Sequence, residues 1–237
     1  MIFQTLDITR IFGIFIIQPI VIIFFLYIAF RILHRNRNKL TLTLSMLFLL
    51  SATGFTINIL FLLSTIFFTD SYLLLMILYF TTIFLIIFSP IFIVIFLIHL
   101  QKQQFTIWIQ ILMVFLYGFG CFILLLIPNG ITIGAATGWL PLFSWTFLIS
   151  FYIYFTITMI LPIFYLLLRI YFTFEDKSLK KKFIYFAIGI LLILISIYGL
   201  VLYNTWQEPI FRTLWSIVSL IVIPSGLLIY YGIGQNL

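Results

Sequence analysis

Seven apolar runs fill almost the whole of this chain. Each is long enough to cross a bilayer, and none has a charged residue in its central part. A spanning helix needs about 20 apolar residues. Inside hydrocarbon the backbone has no water to bond, so each run must satisfy its own amides and carbonyls as a helix. The pattern predicts an all-α, polytopic membrane protein with seven transmembrane helices in a single bundle over residues 1–237. The helices are expected at about 8–33, 41–68, 72–100, 105–127, 145–171, 183–203 and 213–234. Charged residues make up 7% of the chain. Soluble domains carry about 25%, so a water-facing surface cannot be built from what remains.

Lysine and arginine divide unequally between the two ends of such a bundle. Connections 1–2, 3–4 and 5–6, with the adjoining helix ends, hold Arg31, Arg35, Arg37, Lys39, Lys102, Arg169, Lys177, Lys180, Lys181 and Lys182. The opposite side holds Arg10 and Arg212. The positive-inside rule then puts the N-terminus outside and the C-terminus inside. The net charge of +7 is read as topology and attraction to anionic lipid, not to nucleic acid. The lipid bilayer is the expected partner, and the cell (plasma) membrane the expected location. The internal connection 172–182, FTFEDKSLKKK, is a solvated topology signal and the candidate docking surface for a cytoplasmic signalling partner.

Small and polar residues recur at helical spacing. Helix 2 places Ser51, Gly54, Asn58 and Thr65 within a narrow arc. Lipid is a poor partner for hydroxyls and amides, so such stripes should face inward, either as packing seams or as the lining of a pocket. The pocket reading places its ligand groups in the outer half: Asn58, Thr65, Tyr79, Thr82, Tyr117, Ser150, Tyr154, Tyr203, Ser216 and Ser219. Residues 128–144, PNGITIGAATGWLPLFS, are too apolar for a solvated linker and too short to span. They are expected to fold as a cap over the bundle mouth, with Trp139 at the lid. Pro19, Pro90, Pro162 and Pro224 fall inside the odd-numbered helices and should kink them. Gln18, Ser89 and Ser225 stand beside three of them as groups able to bond the freed carbonyls.

Motifs for chemistry are absent. His34 and His99 lie far apart with no thiol or carboxylate cluster beside them, so no metal site is expected. No glycine-rich phosphate loop occurs. Ser225 has no mid-membrane base to activate it. Cys121, the single cysteine, sits in an apolar run. No catalytic residue and no cofactor are expected, and the chain is not read as an enzyme.

The layout resembles that of seven-helix receptor and sensor membrane proteins, in particular the modules that precede prokaryotic kinases and cyclases. It does not resemble a retinal protein, because helix 7 has no lysine. Helix 3 ends in His99-Leu100-Gln101 where G-protein-coupled receptors have Asp-Arg-Tyr. The resemblance implies a sensor that binds an apolar or weakly polar ligand within the bundle and signals through a separate partner. A carrier or flippase of an uncharged or lipidic substrate is the alternative, as is a non-catalytic subunit of a membrane complex. In a Cys121→Ala background, cysteines at Asp70 and Glu208 should react with an impermeant thiol reagent added to sealed cells. A cysteine at Ser178 should not, and its labelling would reverse the orientation.

Overall fold

Seven helices are long and apolar enough to cross a membrane in the computed structural model, which describes residues 13–68, 71–101 and 106–234. They are α1 (Gly13–Arg35), α2 (Lys39–Phe67), α3 (Tyr72–Gln101), α4 (Ile107–Leu125), α5 (Trp145–Thr173), α6 (Lys177–Thr205) and α7 (Pro209–Ile233). The chain is an all-α protein of membrane-embedded type. Arg10, Asp70 and Lys102, used above for topology, lie outside the described residues.

Caps, not the limits of the apolar runs, decide where the helices begin. Asn38 Oδ1 accepts from the Thr41 N–H at 2.8 Å, and the Asn38 N–H donates to Thr41 Oγ1 at 2.9 Å. This reciprocal cap starts α2 at Lys39, ahead of the run that begins at Thr41. Asp176 accepts from the Ser178 N–H at 2.8 Å and starts α6 at Lys177. The connection expected over 172–182 is therefore corrected. Residues 174–176 form the link, and the lysine cluster occupies the first turns of α6. Lysine is a good helix former, but a reading based on apolar runs stops where charge begins.

α3 is the central helix: 67% of its apolar window is buried inside the protein, against 17% for α4. α1 packs on α2, α2 on both halves of α3, the second half of α3 on α5, and α6 on α7. Large apolar side chains such as Phe67, Trp108, Phe115 and Phe172 face outward. An apolar belt of this extent is foreign to a soluble monomer and suits contact with lipid tails.

Each proline expected to kink a helix coincides with an altered ladder. A π-helical turn at Gly13–Ile17 precedes Pro19, and another at Thr156–Ile160 precedes Pro162. A tight 3-10 turn at Ser219–Ile221 precedes Pro224. α3 is interrupted at Ser89-Pro90 and resumes at Ile91. Pro90 has no N–H for the carbonyl of Ile86. Ser89 Oγ supplies that donor at 3.1 Å, as its position beside the proline suggested. Ser51 Oγ on α2 lies 3.0 Å from Ser89 Oγ and shares its proton between that oxygen and the Leu47 carbonyl. The next carbonyl, Ile87, accepts from Tyr117 Oη of α4 at 2.6 Å. Tyr154 Oη of α5 in turn donates to the Tyr117 carbonyl at 2.8 Å. Ser225 differs from expectation, because its hydroxyl bonds the Val222 carbonyl within its own turn.

The segment between α4 and α5 folds as a small hairpin, β1 (Ile131–Thr132) against β2 (Leu142–Phe143), antiparallel with Ile131 opposite Phe143. Its tip holds a 3-10 turn at Ala135–Thr137, and Gly138 follows at φ 60°. Trp139 adopts φ 63°, which a residue with a side chain enters at a cost of about 1–2 kcal/mol. Buried Ile131, Ile133 and Phe143 tie the hairpin to the bundle. Removing the hydroxyls that serve the Pro90 break should be costly. Tyr117→Phe and Ser89→Ala should each lower stability by about 1–3 kcal/mol, read as the denaturant midpoint in mixed micelles. A change of a few tenths would contradict their role.

Candidate functional site

A cavity of about 200 Å³ lies between α1, α2, α3, α6 and α7, toward the end opposite the lysine-rich connections. Six of the residues singled out from the sequence line it: Asn58, Tyr79, Thr82, Tyr203, Ser216 and Ser219. The other five lie elsewhere. Thr65 is buried near the end of α2 and donates to the Leu62 carbonyl at 2.7 Å. Tyr117 and Tyr154 belong to the seam that joins α3, α4 and α5. Ser150 is half-buried on α5, away from the lining. Trp139 packs on the core within the hairpin.

The expected convergence of six helices on one pocket is thus divided in two. Tyr117 of α4 and Tyr154 of α5 commit their hydroxyls to backbone carbonyls of the seam, while the six lining residues meet at the cavity. The hairpin supplies no lining residue and so is not a lid in the sense anticipated. It reaches the cavity through its neighbours: the Phe143 ring packs 6.2 Å from that of Tyr79, and Leu140 packs on Ile14 and Leu62.

Several lining residues were not assigned to the pocket from the sequence. Gln18 Oε1 accepts from Asn58 Nδ2 at 3.1 Å, which joins α1 to α2 across the bundle. Ser51, Ser89 and Ser196 were legible as stripe or proline neighbours but not as lining groups. Asn204 and Trp215 were missed. A signal for Trp215 exists in Gly199, because a Cβ at Gly199 would overlap the Trp215 indole. The glycine admits the ring between α6 and α7, so that it closes one side of the cavity.

Most lining hydroxyls have committed their proton. Ser196 donates to the Leu192 carbonyl at 2.8 Å, Ser216 to Arg212 at 2.8 Å, and Ser219 to Ser216 at 2.9 Å. Asn204 Nδ2 donates to the Leu200 carbonyl at 2.9 Å. A hydroxyl that donates keeps its lone pairs, so the cavity offers acceptors to whatever enters it. Thr82 differs from these serines. Its side chain is 1% exposed, and Oγ1 has no hydrogen-bond partner among the described residues. Near the rim, the Arg212 guanidinium lies 4.9 Å from the centre of the Tyr203 ring and donates to Gln207 Oε1 at 3.0 Å. No Asp, Glu, His, Lys or Arg lines the cavity. Among the described residues, no group of His, Cys, Asp and Glu is placed to hold a metal ion.

Comparison of the chain with protein families, with curated proteins and with solved structures finds no match.

The Gln18–Asn58 bond makes a coupled pair. Asn58→Leu should cost about 1 kcal/mol, and Gln18→Leu added to it should cost less than Gln18→Leu alone. Strict additivity in a double-mutant cycle of detergent unfolding would contradict the pairing.

Proposed function

We propose that this protein is a receptor-type membrane protein that binds a small, mainly apolar ligand in the cavity between α1, α2, α3, α6 and α7. The ligand carries one hydrogen-bonding group, preferably a donor such as an alcohol. Thr82 carries this reading. A buried hydroxyl without a partner costs about 1–3 kcal/mol, and native interiors retain few of them. One carried by a residue of the cavity wall is relieved when its side chain turns toward a ligand that fills the space. Size narrows the class. The volume of about 200 Å³ exceeds the roughly 150 Å³ that accepts benzene and falls below the roughly 300 Å³ where sites for drug-sized ligands begin. A single ring or short chain fits.

Binding in place of catalysis follows from the lining chemistry, since hydroxyls, amides and apolar groups offer no general base near neutral pH. In the proposed orientation the N-terminus is outside, the cavity opens toward the outer half of the cell membrane, and the basic end faces the cytoplasm. Occupancy would be passed to a separate partner docked on residues 172–182, whose lysines lie on the first turns of α6. A carrier is the second reading. It is favoured by the breaks in α1, α3 and α7, which all fall among the lining residues and would let those helices bend.

Benzyl alcohol and toluene are matched probes. For the unaltered protein in micelles, benzyl alcohol should raise the melting temperature more than toluene does. Thr82→Val should leave the toluene effect in place and remove the advantage of the alcohol. Equal responses to the two probes before substitution would contradict the proposal.

A further inference from the structure

The geometry points to a second site, unconnected with the cavity, at which α1 and α7 hold the phosphate of an anionic phospholipid at the basic end. A groove of about 460 Å³ is lined there by Phe30, Arg31, His34 and Arg35 of α1 and by Tyr230 of α7. Arg31 and Arg35 are one helical turn apart and share a face. The described side-chain carboxylates are Glu175, Asp176 and Glu208, and none lines the groove. Two guanidiniums therefore line a concave surface with no side-chain carboxylate among the described residues to answer them. Arg212, at the other end of the bundle, is instead held by donation to Gln207 and Tyr203.

Guanidinium groups present forked donors that match phosphate oxygens, and the Tyr230 hydroxyl adds a donor from the facing helix. The rest of α1 identifies the source of the phosphate. Running away from the arginines, Phe30, Tyr27 and Ile23 stand 63%, 54% and 69% exposed, spaced to form one apolar track along the helix. The track is fixed at its charged end: the Arg31 guanidinium lies 5.7 Å from the centre of the Tyr27 ring, and the Phe30 and His34 rings are 5.6 Å apart. Free phosphate would use the arginines alone. A phospholipid uses both, its phosphate between Arg31, Arg35 and Tyr230 and an acyl chain along Phe30, Tyr27 and Ile23. Basic pockets between helices are suited to lipid headgroups for this reason.

The test uses the full chain in nanodiscs of phosphatidylcholine mixed with phosphatidylglycerol, with retained lipid identified by native mass spectrometry. The unaltered protein should retain phosphatidylglycerol selectively. Arg31→Gln with Arg35→Gln should cut retention about fivefold for each arginine removed, whereas Lys180→Gln with Lys181→Gln should leave it unchanged. Equal loss with both pairs would show diffuse attraction to charge and overturn the site, as would no loss with the arginine pair. Inorganic phosphate should not displace the lipid, and displacement at modest concentration would assign the groove to a soluble anion. If the arginine pair prevents folding, Tyr230→Phe decides. It should weaken retention where the lysine pair does not, and an unchanged value would count against the groove.

Discussion

Pro90 deprives the Ile86 carbonyl of its helical donor in the middle of the most buried helix, where neither water nor lipid can replace it. The answer is local and then spreads. Ser89 bonds Ile86, and Tyr117 bonds Ile87, while Ser51 leans on Ser89 and Tyr154 on the Tyr117 backbone. One break in α3 thereby fixes the facing sides of α2, α4 and α5. Apolar packing alone is a weak guide to helix order in a bilayer, because lipid tails are as apolar as leucine. Hydroxyls that must find a carbonyl are directional. They turn α3 into the post around which its neighbours are set.

The cavity follows from the same economy of polar groups. Where α4 and α5 meet α3, tyrosines reach across and close the space. Where α1, α6 and α7 meet α2 and α3, the serines of α6 and α7 bond back to their own helices, and the Gln18–Asn58 bond joins α1 only to α2. Those serines span no gap, and Trp215, admitted by Gly199, closes only one side. An acceptor-lined space remains, with Thr82 in its wall. Interiors are close-packed, and it is on this departure from that rule, with an unpartnered hydroxyl in the wall, that the proposed ligand rests.

Much of the fold was legible because the bilayer imposes it. Seven apolar runs became seven helices, and four internal prolines marked four ladder changes. The errors fall at charged ends, where α6 begins at Lys177 and not at Phe183 because Asp176 caps it. The site was half legible. Stripe spacing placed Asn58, Tyr79, Thr82, Tyr203, Ser216 and Ser219 on inward faces, but spacing along one helix does not say which other helix that face meets. Tyr117 and Tyr154 carry the same pattern and serve the Pro90 seam. Trp139 was expected at a lid, yet it packs half-buried against the core within the hairpin. Gln18 and Trp215 became visible only once Asn58 and Gly199 had neighbours in space.

The most direct measurement of the account is photolabelling of the unaltered protein by a benzyl alcohol bearing a diazirine, with adducts mapped by peptide mass spectrometry. Labels on α2, α3 and α7 around Phe55, Thr82 and Trp215, suppressed by excess benzyl alcohol, are the predicted result. Adducts confined to the outward face of α4 around Phe115 and Phe119, and not suppressed by competitor, would mean that the probe partitions into lipid and that the cavity takes no ligand of this class.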